Sequence, residues 1–281
     1  MLMDRLNILQ KIGIYLAIFV FLLFVLLPFL EMFRTSLRPL DHLMTSKFEL
    51  WGPESSFQAY RDMWTTVPYL GRYIVNSIFI SSAVTLMTMI CAVPAAYAYA
   101  RLDFPFKSAS LGGFLAVNMF TGAVLLIPLY RVMRTLGLLN TYWAMIIPGV
   151  AFLIPTAIWL LRSYLEKIPR ELEEAAYVDG ASRMYTLRRV VIPLAVPGLI
   201  VVSTATFIGA YAQQFLFAVT FNNRTELQPL PAGLFEFIGY QDVTWNQMMA
   251  AALTGVLPVM LFFLFLQKYL VAGLTAGAIK E

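Results

Sequence analysis

Runs without ionisable side chains divide the chain into long apolar stretches and short polar ones. Six windows contain no Asp, Glu, Lys, Arg or His: 12–30, 73–100, 108–130, 135–161, 190–223 and 243–267. At about 1.5 Å per helical residue, each reaches across a hydrocarbon layer of about 30 Å. Lipid admits only helices and closed barrels, and windows of this length exceed a barrel strand, so they read as helices. The pattern predicts an all-α integral membrane protein of six transmembrane helices, at about 12–33, 73–98, 109–130, 141–162, 194–221 and 247–268. They are expected to form a single transmembrane domain over 1–281, without a separate soluble domain.

The interruptions add detail. The loop 34–72, with "LRPLDHLM" and "SFQAYRDMW", mixes aromatic and charged residues, which predicts a short amphipathic helix at the membrane surface around 57–64. In the second window Ala92, Ala95, Ala96, Ala98 and Ala100 allow close helix approach. They suit a helix at the centre of a bundle or ordinary pairwise packing. The fifth window, 34 residues or about 50 Å, exceeds one perpendicular span. With Pro193 and Pro197 near its start, its first part belongs to the preceding polar segment or to a kinked lead-in. Pro28, Pro94, Pro128, Pro148, Pro155 and Pro258 lie inside spans, as hinges or as static bends.

One polar segment, 169–193, contains "EEAAYVDGASRMYTLRRVVIP". Pro169 suits a first turn, and Glu171, Glu173 and Glu174 favour the positive end of a helix dipole. Leu172, Ala175, Ala176 and Asp179 follow at i, i+3, i+4 and i+7 and form one flat, small face. Gly180 supplies a left-handed stop, and Ser182 caps a second helix carrying Arg183, Arg188 and Arg189. The product is a helix–Gly–helix elbow with an acidic first arm and a basic second arm. It either docks into another protein's groove or is a solvated link between spans.

Composition agrees with the membrane reading: of 281 residues 60% are hydrophobic and 13% charged. Soluble domains run nearer half and a quarter. With the N-terminus in the cytoplasm, twelve Lys and Arg fall inside and eight outside, and six of the twelve flank the elbow. Both termini are then cytoplasmic. Arg5 and Lys11 precede the first window as in a signal peptide, but "EMFRTSL" after it offers no small-x-small cleavage pattern, so the window is expected to be retained. The net charge of +4 needs no nucleic-acid partner. Cys91 is the only cysteine and His42 the only histidine, which excludes a zinc site or Cys–His chemistry within the chain.

The windows also lack what an autonomous machine needs. Proton-coupled and many sodium-coupled carriers place an ionisable group in the membrane, and none of the six windows has one. No nucleophile, base or metal set assembles, so no catalytic residue and no metal ligand is assigned, and no Gly-Lys pair marks a phosphate loop. Uphill transport would draw energy from another polypeptide, and the elbow is the natural contact.

At the elbow the chain resembles the membrane subunits of binding-protein-dependent ABC importers. Their pattern is Glu-Ala-Ala, three residues, Gly, nine residues, Ile-x-Leu-Pro. Here it is met by Glu174, Ala175, Ala176, Gly180, Val190, Ile192 and Pro193, with Val for Ile and Ile for Leu. Asp179 in "DGAS" and the tail "GLTAGAIKE" are similar to the carbohydrate branch, in particular to the smaller permease of maltose-type transporters. The resemblance covers most of the chain and implies its partners: a second permease subunit, two ATPase subunits that bind ATP and Mg, and an extracytoplasmic solute-binding protein, in a bacterial cytoplasmic membrane. No cofactor is expected in this chain. The resemblance further implies a coupling helix at 171–179, with Glu171, Glu174, Ala175, Ala176 and Asp179 facing the ATPase and Gly180 at the turn. Gly277, Ala278 and Lys280 would reach the ATPases. Leu230, Pro231, Gly233, Phe235 and Tyr240 would lie in the loop that probes the binding protein.

Sugar passage needs aromatic faces with hydroxyl or amide partners. Asn76, Tyr97, Asn118, Trp159, Tyr211, Gln213 and Gln214 are candidates, though any of them can instead bond a neighbouring helix. "YAQQFLF" departs from the Trp-Asn-acidic sequence of many carbohydrate-branch relatives, which puts an inherited specificity in doubt. The expected function is import of an oligosaccharide or other carbohydrate. The alternatives are glycerol-phosphate or polyol import and, outside the class, a passive or ion-coupled carrier.

Overall fold

The computed structural model describes residues 7–40, 54–117, 122–239 and 242–275. In chain order the helices are α1 (Ile8–Leu37), α2 (Gln58–Thr66), α3 (Leu70–Arg101), α4 (Lys107–Val117), α5 (Gly122–Thr135), α6 (Trp143–Leu165), α7 (Glu171–Val178), α8 (Arg183–Thr186), α9 (Ile192–Phe221), α10 (Leu230–Gly233) and α11 (Trp245–Thr275). A π-helical turn, Leu187–Val191, joins α8 to α9. Short 3₁₀ turns occupy Thr225–Leu227 and Leu234–Phe237. The only extended pairing among the described residues is the isolated bridge of Ile238 with Val243.

Five helical stretches are long and apolar enough to cross a membrane: Ile8–Leu37, Leu70–Arg101, Trp143–Leu165, Arg183–Phe221 and Trp245–Gln267. Ile8–Leu37, Leu70–Arg101 and Arg183–Phe221 contain the predicted spans 12–33, 73–98 and 194–221, while Trp143–Leu165 and Trp245–Gln267 overlap 141–162 and 247–268 with ends shifted by one to three residues. The remaining window, 108–130, is carried by two shorter helices, α4 and α5, on either side of residues outside the described set. The count of six is therefore not established by these helices. Pro28, Pro94, Pro128, Pro148, Pro155 and Pro258 all sit inside helices that continue past them.

The chain divides into two compact units, Met1–Leu70 with Leu234–Gly255, and Gly71–Gly233 with Val256–Glu281. In the first, α1 packs on α2. Ser56 N–H donates to the Leu37 carbonyl at 2.8 Å, and the Ser36 and Tyr60 hydroxyls meet at 2.9 Å. The Asn246 amide donates to the Arg38 carbonyl at 3.2 Å. The predicted short helix around 57–64 is α2, which buries Ala59 and Met63.

The second unit holds the core. Ala92, Ala96 and Ala100 recur every four residues on α3 and are buried against Ala157, Ile158, Leu161 and Leu165 of α6 and Ala195 and Val202 of α9. Side chains this small bring backbones close, which is how helices gain dispersion energy in lipid. A second cluster joins Ile80 and Val84 of α3, Met145 and Val150 of α6, and Phe217 and Phe221 of α9. In it the Phe217 and Phe221 rings stack with centroids 5.9 Å apart.

The long fifth window resolves into one nearly continuous helical run, Arg183–Phe221. The expected boundary between elbow and span, at 193/194, is not a break, since α9 already starts at Ile192. Pro193 has no N–H to give the Arg189 carbonyl. The chain absorbs the lost donor by widening its register just before, where Ile192 N–H bonds the Leu187 carbonyl five residues back.

Candidate functional site

The elbow is built as its residue types dictate. Glu171, Glu173 and Glu174 fill the first turn of α7. At its C-terminus Gly180 has φ +82°. Gly180 N–H bonds the Tyr177 carbonyl at 3.0 Å and Ala181 N–H bonds the Ala176 carbonyl at 2.9 Å. This double closure is the Schellman arrangement, which needs a left-handed residue at that position. Ser182 then caps α8, its Oγ accepting from Tyr185 N–H at 3.3 Å.

Two neighbouring carboxylates take opposite environments. Glu174 is exposed, as are Glu171, Ala175 and Asp179, while Ala176 is half-buried. Glu173 is only 4% exposed. Its Oε1 accepts from Arg101 Nε at 2.5 Å and its Oε2 from the Tyr97 hydroxyl at 2.8 Å. Arg101 also donates through Nη2 to the Ile168 carbonyl at 2.7 Å, and the Tyr97 and Tyr177 hydroxyls meet at 3.1 Å. A buried carboxylate is tolerable only when paired and hydrogen-bonded, and this one is both. Outside this anchor the elbow presents exposed Leu172, Val178, Met184 and Tyr185 beside the exposed cations Arg183, Arg188 and Arg189. The result is a polar-rimmed apolar face held rigidly from behind.

Two adjoining cavities line the α3–α9 seam. One, of about 510 Å³, has Val93 and Pro94 of α3 on one side and Met184, Arg188 and Ile192 on the other, so it opens beside the elbow. The other, of about 470 Å³, is bounded by Ser82 and Thr85 of α3, Phe207 of α9 and Phe262 of α11. Met89 and Ser203 belong to both. The lining is mostly apolar, with Ser82, Thr85 and Ser203 as its hydroxyl residues, Thr85 Oγ1 donating to the Ser81 carbonyl at 2.7 Å, and one cation, Arg188, at the elbow end. Among the described residues no group of three or more His, Cys, Asp or Glu side chains is placed to hold a metal ion.

None of the six path candidates among the described residues lines either cavity. Asn76 donates to the Glu226 and Gln228 carbonyls at 3.0 and 2.9 Å and accepts from Tyr142 at 2.8 Å, so it fastens the segment after α9. Gln214 donates to the Ser77 carbonyl at 2.9 Å and to Ser81 Oγ at 2.6 Å and is buried. Tyr97 belongs to the elbow's anchor. Trp159 and Gln213 are exposed, Tyr211 is half-buried, and Asn118 lies outside the described residues. Of the loop residues, Phe235 is exposed and Pro231 half-buried, whereas Leu230 and Gly233 are buried. The Leu230 N–H is held by Ser77 Oγ at 2.8 Å, and a methyl group at Gly233 would overlap the Tyr73 ring. Tyr240, Gly277, Ala278 and Lys280 lie outside the described residues.

Sequence reasoning missed Glu173, Arg101, Ser82, Thr85 and Ser203. The triplet Ser82, Thr85, Met89 is spaced i, i+3, i+7, which marks one helix face. Nothing local separates Glu173 from Glu174, since the partner of Glu173 lies 72 positions away.

Comparison with known proteins places this architecture. The family profile described as "Binding-protein-dependent transport system inner membrane component" matches residues 6–276. The chain is similar to "Inner membrane ABC transporter permease protein YcjP" of Escherichia coli (strain K12), 33% identical over 97% of each chain. It is also similar to "Trehalose/maltose transport system permease protein MalG" of Thermococcus litoralis, 38% identical over 74% of this chain and 75% of that one. Among solved structures, a chain of a bacterial ABC transporter involved in the import of the acidic polysaccharide alginate superposes with a TM-score of 0.75 at 23% identity, covering 93% of this chain and 97% of the other, and so shares its fold.

Proposed function

The chain belongs to the family of binding-protein-dependent transport system inner membrane components, and from that membership we propose that it is the non-catalytic permease subunit of an ATP-driven carbohydrate importer. The named substrates of its relatives, trehalose and maltose in one and diacetylchitobiose in another, support a sugar as cargo. Both termini lie in the cytoplasm, in line with the excess of Lys and Arg around the elbow. The working assembly contains a second permease, two ATPases that bind ATP and Mg, and an external solute-binding protein. Residues 1–281 form one transmembrane domain within it.

The observation that carries this reading is the exposed, rigidly backed elbow. Its Glu171, Glu174, Ala175, Ala176 and Asp179 offer an acidic face, small at Ala175 and Ala176, to an ATPase groove, and Gly180 fixes the turn. Nucleotide-driven movement of that groove would displace the elbow and, through it, the spans. The α3–α9 seam, with hydroxyls in an apolar wall, supports a sugar path better than the scattered polar residues do. The tail at Gly277, Ala278 and Lys280 and the loop around Phe235 are assigned to ATPase and binding-protein contact by family resemblance.

The test is affinity purification from the native membrane with mass spectrometry of what accompanies the chain. An ATPase and a second permease should co-purify. Glu174→Lys should release the ATPase and retain the permease. Recovery of the chain alone, or only with itself, would remove the energy source and favour a passive carrier.

A further inference from the structure

The elbow has three attachments, and they differ in kind. Towards α9 it continues through the π-helical turn Leu187–Val191, followed by Pro193 and Pro197. A widened register next to prolines is where helices bend. Towards α6 it is tied by turn-type bonds from Glu166, Lys167 and Ile168 N–H groups to the carbonyls of Arg162, Tyr164 and Leu165. Towards α3 it is clamped by side chains. Arg101 is the last residue of α3, and Tyr97 lies one turn earlier. They grip opposite oxygens of the Glu173 carboxylate, while Arg101 holds the Ile168 carbonyl at the foot of α7. Two donors one turn apart on a single carboxylate resist rotation as well as translation. The side chains of Arg101 and Glu173 are 7% and 5% exposed, so water does not loosen the pair.

Resting on the coupling role assigned to the elbow above, we propose that the Tyr97–Glu173–Arg101 clamp makes α3 the span that moves with the elbow, with the π turn absorbing the relative motion of α9. Tyr97, Arg101 and Glu173 are positioning residues for transport. α3 lines both cavities through Ser82, Thr85, Met89 and Pro94, and Ser203 of α9 faces both from the other side. A shift of α3 against α9 reshapes the seam along its length, whereas a rigid α9 attachment would carry both walls together.

The test uses the complete transporter, purified with its partner subunits and reconstituted in vesicles, with cysteines removed from the partners. One nitroxide sits on Cys91, exposed on α3, and one on Val178→Cys at the elbow tip, where the side chain is 88% exposed. A second pair joins Val178→Cys to Val219→Cys, exposed on α9, in a Cys91→Ala background. Distances are measured without nucleotide and with MgADP and vanadate. The elbow–α3 distance should stay fixed while the elbow–α9 distance changes. Glu173→Gln, and the milder Tyr97→Phe should the first not assemble, should make the elbow–α3 distance nucleotide-dependent. They should also lower stimulation of ATP hydrolysis by the binding protein at least about fivefold, the low end of ordinary coupling. Basal hydrolysis should persist. If the elbow–α3 distance in the unmodified transporter changes as much as the elbow–α9 distance, the proposal is overturned. If ATPase subunits are present and neither distance responds to nucleotide, the coupling reading fails first and this inference falls with it.

Discussion

Glu173 and Glu174 are chemically identical and adjacent, yet about 100° of helical rotation separates their fates. One is buried against Arg101 and the other is exposed. Removing one member of a buried pair strands the other charge, at a typical cost of about 3–5 kcal/mol. Glu173→Ala should therefore lower thermal stability sharply in detergent, whereas Glu174→Lys should leave the melting curve within about 0.5 kcal/mol of the parent and abolish ATPase retention. Gly180 gives a second contrast. No atom lies within 4 Å of a Cβ added there, so substitution costs conformational energy alone. Gly180→Ala should cost about 1–2 kcal/mol, and Gly180→Val more, because a β-branched residue resists positive φ further. Equal melting temperatures for the two would mean that the turn relaxes. The left-handed glycine was legible because its signal is local. The burial of Glu173 was not, because it depends on where α3 ends. Asn76 and Gln214 misled for a related reason: in a span an amide that bonds a neighbouring backbone has the same sequence signature as one awaiting cargo.

Membrane-long helices were legible in five of the six charge-free windows, since lipid admits only helices and closed barrels and these windows are too long for barrel strands; window 108–130 is instead carried by two shorter helices. Ends were less legible. α1, α3 and α11 run past their predicted limits because a helix, once nucleated, adds a hydrogen bond for each further residue and continues beyond the charge-free window. The π turn carries no composition signal beyond the proline that follows it. The alanine stripe of α3 was read correctly as a packing face, and it allows a test at this scale. Ala96 is fully buried in the core shared with α6 and α9. Ala96→Leu overfills that contact and should destabilise by about 1–3 kcal/mol, seen as a lower melting temperature, while a leucine at exposed Cys91 on the same helix should be neutral. Similar melting temperatures for both would show that α3 is loosely packed.

Across the molecule, apolar surface is left open on a scale no soluble chain of this size tolerates. α1 buries none of its most apolar stretch, and Phe19, Phe21 and Phe24 are all exposed. Lipid must cover such surface, together with the proposed second permease, so the chain expressed without that partner should accumulate poorly, and co-expression should raise its detergent-extracted yield several-fold. Parity of the spans decides the sidedness of the ends. An even number puts both termini on one side, and an odd number separates them. Fluorescent protein fused at either end should fluoresce, as it does in the cytoplasm, and a dark fusion at one end would refute six spans.

The pairing of Arg101 with Glu173 also sets a schedule for biogenesis. The two residues are 72 positions apart, with α4, α5 and α6 between them. At roughly 5–20 residues per second the ribosome delivers the carboxylate several seconds after the guanidinium. Throughout that interval the end of α3 carries a cation without its final partner. The pair can close only after α4, α5 and α6 have been made, so the anchor of the elbow is set later than the synthesis of every helix between its two halves.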